Sequence, residues 1–358
     1  MIEQFKSLFG RPRQAAPAEP TGDTILFNAY CTPLEIPQPA FAHKLHARRD
    51  LSDPELLVHL GGFCGYVQAR GDGKMSIEKY HVILHVQRVQ HHLSISVGVS
   101  DIAAFHAWAA QANAVLYTHD GHITDPQGRI LVHADGGAAD PQARVPYLEQ
   151  ALTRKAATEA TLAARGIIVP PTLPPLLCEA ELSLRSRDEV IERARALLLV
   201  ALRAESVASG EAMPVETLLS KMPLADDALS PNEQVFLQQE APSQQECAPF
   251  IWRYESLLVL EWALGLVDQL AYPAAPVEAA TVVATLIDMR GPQLRPPGDI
   301  LDALDLTYRL HWHVRQTRLK KLGQVAGVDA DVLMERHHAL NWLVRFQHAP
   351  WDEVDTPT

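Results

Sequence analysis

The chain has 358 residues, 47% of them hydrophobic and 21% charged, with a formal net charge of −12. This is the composition of a folded globular protein long enough for two domains, because one core rarely grows far beyond ~250 residues. Nucleic-acid binding needs clustered Lys and Arg to displace phosphate counterions, so the charge argues against it; it serves first to keep the chain in solution and would also suit a basic protein partner.

Residues 1–22, rich in Ala, Pro and Gln, are expected to form a mobile tail. "MIEQFKSLFGRPRQ" holds no apolar stretch of signal-peptide length, and no run of ~20 apolar residues exists that would span a membrane. Cys31, Cys64, Cys178 and Cys247 form no C-x-x-C, which fits reduced thiols, a cytoplasmic location and small core residues rather than nucleophiles.

Residues 23–145 read as an α/β domain, a small sheet covered by helices. "TILFNAY" is a strand stopped by Cys-Thr-Pro. "DPELLVHLGGFCGYVQAR" is a helix starting near Asp53, with Pro54 in its first turn and a break at Gly61 and Gly62. "GDGK", Gly71 to Lys74, is a turn that lacks the frame of a phosphate-binding P-loop. His81–Val86 and Leu93–Val99 are two β-rich runs, and "SDIAAFHAWAAQAN" is a helix capped by Ser100 or Asp101. "AVLYTHDGHITDPQGRILV" carries turn signals at Asp120-Gly121 and Asp125-Pro126, and a loop follows over 133–145.

Residues 146–178 combine a helix to about Arg165 with "VPPTLPPLL", which is held extended because each Pro disfavours helix in the residue before it. That Pro-rich run is the expected domain boundary. From 179 to 358 the chain reads as helical, which makes the whole an α+β protein. Ser186 with Glu189, and Ser230 with Glu233, have the capping-box spacing. "FIWRYESLLVLEWALGLVDQL" is apolar nearly all round, so it is the expected central helix. "VEAATVVATLIDM", "LDALDLTYRLHWHVRQ" and "DADVLMERHHALNWLVRF" supply further helices.

In "LDALDLTYRLHWHVRQ", expected to be capped by Asp299 with Pro297 blocking earlier helix, His311 and His313 diverge by about 200° and cannot share a metal. Asp302, Asp305, Arg309 and His313 instead form one stripe, with Asp305 and Arg309 oriented for an i,i+4 ion pair. Glu335 and His338 share a face, as in helical di-iron sites, but the matching second Glu-x-x-His is missing: Glu78 and His81 lie in the strand-rich half. No metal site and no cofactor is therefore expected. Burying an unpaired carboxylate is costly, so Glu255 and Glu261 should face a cation or water, with Arg253, Arg309 and Arg336 as the available cations. There is no Gly-x-Ser-x-Gly elbow, P-loop, His-Glu-x-x-His or dinucleotide fingerprint.

The blocks "LRSRDEVIERARALLLV", "SPNEQVFL", "WRYESLLVLEWALGLVD", "ILDALDLTYRLHWHVR", "ERHHALNWL" and "WDEVDTPT" resemble the bacterial domain-of-unknown-function family 4272, from about Leu184 to Thr358. The resemblance implies a mostly helical cytoplasmic domain and carries over no activity. Polar positions inside these blocks include Arg185, Glu192 and Asp352, together with the candidates for a polar cleft or network: Arg253, Glu255, Asp305, Arg309, His311, Glu335, Arg336 and Asn341. The front half, "AWAAQANAVLYTHDGHITDPQGRIL", is similar in style to small accessory domains of bacterial conflict and immunity loci. The expected function is a non-enzymatic protein-binding factor, immunity- or adaptor-like. The alternative is an enzyme or small-ligand sensor with a polar cleft in the helical half.

Overall fold

The computed structural model describes residues 18–358, apart from 223, 224, 226, 227 and 326. It divides into two compact units, the first ending at Tyr147 and the second beginning at Leu148. The predicted tail falls outside the described residues up to position 17; beyond it, the Ala18 carbonyl accepts a hydrogen bond from the His43 N–H.

The first unit is built on a six-stranded antiparallel sheet: β1 (Thr24–Cys31), β2 (His43–Asp50), β3 (His91–Gly98), β4 (Ala114–Thr118), β5 (Ile123–Thr124) and β6 (Ile130–Val132), in the order β2-β3-β1-β4-β5-β6. Alternation along β1 gives each face its own core. Phe27, Ala29 and Cys31 pack with Leu93, Ile95 and Val97 of β3 against Phe105 and Trp108 of α3 (Ile102–Gln111). Tyr30, with Val115, faces the opposite way, onto α1 (Glu55–Gln68) and α2 (Ile77–Val86). Sheet and helices thus form the expected α+β arrangement, with both sheet faces covered.

Three local expectations are corrected, and one strand is new. α1 runs through Gly61 and Gly62 without a break, because Leu56, Leu60, Phe63 and Val67 form one buried stripe. That burial outweighs the ~1 kcal/mol each glycine costs in a helix. His81–Val86 is helix, not strand: Ser76 caps it by accepting from the Lys79 N–H, and Val82, His85 and Val86 are buried at helical spacing. The Asp101 side chain makes no cap bond to α3 and instead accepts from the Ser100 hydroxyl. β2 has no counterpart in the sequence reading, because this edge strand, "HKLHARRD", is mostly exposed and shows no apolar alternation.

The second unit is helical: α4 (Glu149–Ala163), α5 (Arg187–Ala208), α6 (Val215–Lys221), α7 (Pro231–Leu237), α8 (Gln244–Ile251), α9 (Arg253–Ala263), α10 (Ala279–Ile287), α11 (Pro297–Leu319) and α12 (Ala330–Leu343). α4 and the Pro-rich run both belong to this unit. The capping boxes of α5 and α7 form as their spacing predicts, and Ser243 with Glu246 adds a third on α8. α9 is buried from Tyr254 to Ala263, the centre of a core shared with α5, α10, α11 and α12. At α11, Pro297 is the first helical residue rather than a block, and Asp299 sits in the first turn rather than at the cap. A Pro there loses nothing, since the first-turn N–H groups have no helical acceptor. Among the described residues no helix is long and apolar enough to cross a membrane.

Candidate functional site

The tetrad Glu335-Arg336-His337-His338 on α12 is the hub of the polar network. Consecutive helical residues point about 100° apart, so four in a row face nearly all directions. Each finds a different neighbour. Glu335 accepts from Arg253 Nη1 at 2.9 Å and from the Ser256 hydroxyl at 3.0 Å, both on α9. Arg336 donates through Nε to Glu255 Oε2 at 2.9 Å and through Nη1 to the Ala271 carbonyl at 2.5 Å. Glu255 takes a further bond of 2.5 Å from the Val277 N–H. His337 meets His311 of α11, Nδ1 to Nδ1 at 2.9 Å, and the His338 ring lies edge-on to Trp351 at 4.6 Å.

Asp305 and Arg309 form the i,i+4 pair expected of them, a fork of 2.9 and 2.8 Å with both groups buried. Arg309 also reaches the Pro174 carbonyl at 3.1 Å, while Asp302 of the same stripe pairs with Arg154 of α4 at 2.6 Å. The stripe therefore ties α11 to α4 and to the Pro-rich run. Asn341 donates to the Asp355 carbonyl at 2.8 Å and holds the C-terminal segment. Outside the tetrad, Arg185 bridges Glu189 and the Ala349 carbonyl, and Asp352 accepts from the Asn232 N–H at the start of α7. The eight candidates thus separate into distinct contacts: two ion pairs and a histidine pair between helices, one ion pair within α11, and the Asn341 bond to the C-terminal segment. Glu255, Arg309 and His311 each have their own partner and share none.

Electrostatics follow from this sealing. Burial lowers His311 and His338 to about 4 and His337 well below the ordinary imidazole range, so all three are neutral at pH 7. Glu261 differs from the paired acids. It is fully buried, and among the described residues neither carboxyl oxygen has a partner, so no cation answers it. Burial alone raises it to about 8. The carboxyl avoids the cost of an unpaired buried charge by holding its proton. Burial likewise pushes the Cys64 and Cys178 thiols up to about 11, away from nucleophilic thiolate.

Trp351 marks a second centre that the sequence reading passed over. Arg193 lies 4.4 Å and Arg253 5.7 Å from its ring centroid, and Trp342 packs edge-on at 5.5 Å. Arg193 is buried against Glu233, which also caps α7 through the Ser230 N–H, and it donates to the Ala228 carbonyl at 2.7 Å. Around this ring, Arg193 Nε, Arg253 Nε and Trp351 Nε1 are buried donors without a hydrogen-bond partner among the described residues. The local chemistry is a surplus of donors that an oxygen acceptor would satisfy. The signal lay in the capping box: Glu233 at the third position of a buried helix start can cap and neutralise an arginine together.

Glu335 and His338 share the predicted face, but Arg253 and Ser256 hold the carboxylate while the imidazole packs edge-on against Trp351. Among the described residues no three His, Cys, Asp or Glu side chains gather as metal ligands.

No curated protein and no solved structure matches the chain. A protein family does: residues 154–354 match the family described as Domain of unknown function (DUF4272). The match begins inside α4, about thirty residues upstream of the blocks that carry the resemblance in the sequence, and so takes in the Arg154–Asp302 and Arg309–Pro174 ties. With more than half of its length covered, the chain belongs to the DUF4272 family.

Proposed function

We propose that this chain is a non-enzymatic binding protein of the bacterial cytoplasm, an adaptor or immunity-like factor whose partner is a basic protein. The observation that carries the reading is the pairing of the acids. Glu233, Glu255, Asp305 and Glu335 each face an arginine in a buried or nearly buried ion pair. A general base needs a carboxylate within reach of a substrate proton, and these four are already bonded. Because each pair cancels internally, the net charge of −12 is carried by the remaining groups. Such a field speeds encounter with a basic surface and weakens as salt rises. Four free cysteines fit a reducing compartment.

Tagged chain expressed in its native host, cross-linked and purified, should bring down one basic protein in stoichiometric amount. The association rate of the purified pair should fall steeply with ionic strength. Turnover of a metabolite by the purified chain, or a rate indifferent to salt, overturns the proposal. The spare donors around Trp351 favour a second reading, a small-ligand sensor. It expects an oxyanion to raise the melting temperature of the parent and not of Arg193→Met.

A further inference from the structure

The Gly71–Lys74 turn, which matches no phosphate-binding motif, lines a cavity of about 540 Å³ in the first unit. Three stretches wall it: the turn between α1 and α2 with the first residues of α2, the end of β6, and residues 136–139. The volume lies within the ~300–1,000 Å³ of small-molecule sites. The wall is built by direct backbone packing. Gly71 (φ +62°) and Gly136 (φ +86°) both have the left-handed conformation, and a Cβ on Gly136 would stand 2.3 Å from the Gly71 Cα. Only glycine fits at that contact.

The charge on this wall is the informative feature. Lys79, on the first turn of α2, lines the cavity although the residue is only 8% exposed. Its ammonium donates to the carbonyls of Arg70 and Lys74 at 2.5 and 2.8 Å. An ammonium has three donors, so one is left over. Among the described residues no carboxylate lies within ion-pair distance of it, whereas Asp72 pairs with Lys74 at 3.1 Å. The ammonium is thus held by two carbonyls and only shares the more distant Asp72 carboxylate of the same wall with Lys74, so an anion that reaches it directly would stabilise it. Arg70 lines the same cavity, its guanidinium fixed over the Tyr66 ring at 3.9 Å and tied to the Ala134 carbonyl. Ser76 caps α2 through the Lys79 N–H, leaving the amides of Ile77 and Glu78 without a helical acceptor at the positive end of the helix.

We propose that this cavity binds a small phosphate monoester, its phosphate held between the Lys79 ammonium, the Arg70 guanidinium and the first amides of α2. An ammonium, a guanidinium and helix-start amides together offer more donors than the two oxygens of a flat carboxylate can take, which suits the larger acceptor set of a phosphate. The cavity is roomy enough for an organic remainder, and Glu78 on the same wall, without an ion pair among the described residues, offers an acceptor to a hydroxyl of that remainder. The site lies outside residues 154–354, so it is a property of this chain's first unit rather than of the family match.

The test is calorimetric titration of the full chain with ribose 5-phosphate, inorganic phosphate, ribose and acetate, followed by amide NMR. Ribose 5-phosphate should bind, inorganic phosphate should bind more weakly, and ribose and acetate should give no heat. Phosphate should move the amide signals of Ile77 and Glu78 first. Lys79→Met should weaken ribose 5-phosphate binding by about tenfold or more, the loss of one charge-assisted contact. If that variant fails to fold, the amide shifts of the parent protein decide. Absence of heat with both phosphates, acetate binding as well as phosphate, shifts confined to other residues, or full affinity in a folded Lys79→Met each overturns the assignment. Inorganic phosphate binding as tightly as the ester removes the organic remainder from the proposal.

Discussion

Glu261→Gln tests the account of the bundle core. The Glu261 carboxyl is fully buried, lacks a partner among the described residues, and is raised by burial to about 8. In the unfolded chain it titrates at its ordinary value, 4.5. Between these two values the folded state holds a proton that the unfolded state has released. Stability therefore falls as pH rises through this window, by about 1.4 kcal/mol per pH unit from this residue alone. Below the unfolded value the penalty is absent; above the folded value it is fully present and constant. Gln keeps the shape and cannot ionise, so other titrating groups cancel between the two proteins. Urea unfolding of both from pH 5 to pH 7 should show the difference moving in favour of Gln by about 3 kcal/mol. A difference that stays constant across that range means Glu261 is not protonated in the folded state. A difference that moves toward the parent protein means a cation or donor holds it ionised, and the reasoning fails.

The His311–His337 contact predicts the opposite slope. One Nδ1 must donate and the other accept, and burial holds both rings below their ordinary range, so stability should fall as pH drops from 6.5 toward 4. In His337→Phe that acid limb, followed by urea unfolding, should be shallower. Arg336→Met leaves buried Glu255 without its cation and should cost about 3–5 kcal/mol, whereas Arg345→Met, at a partly exposed pair with Glu189, should cost about 1 kcal/mol or less in the same assay. Gly136→Ala meets the Gly71 backbone at positive φ and should cost about 2–3 kcal/mol, against about 1 for Gly166→Ala, where φ is also positive but the surroundings are open.

What the sequence disclosed follows from the range of the forces involved. Capping boxes at Ser186 and Ser230 and the Asp305–Arg309 pair depend on residues three and four apart, so spacing revealed them. The β-branched content of "HVILHV" points to a strand, whereas the helix is set by the Ser76 cap, which lies upstream of that run. β2 was missed because an exposed basic edge strand leaves no apolar period, and it is fixed by its partner β3. The partners of the polar residues are long-range facts. Arg253 with Glu335 and Glu255 with Arg336 are each about eighty positions apart, and only their composition was readable. The Lys79 cavity joins two turns about sixty residues apart through a glycine–glycine contact that no local pattern announces.

The central claim is that buried acids and bases in the helical unit are scaffold rather than reagents, and Asp305→Leu combined with Arg309→Met measures it most directly. Arg309→Met alone should cost about 3–5 kcal/mol, and the pair of apolar replacements should recover most of that loss. The measurement is capture of the protein partner by the folded double variant, which should match the parent protein in stoichiometry and affinity. A double variant that is as stable as the parent and has lost binding would show that these charges act on a ligand, and would contradict the account.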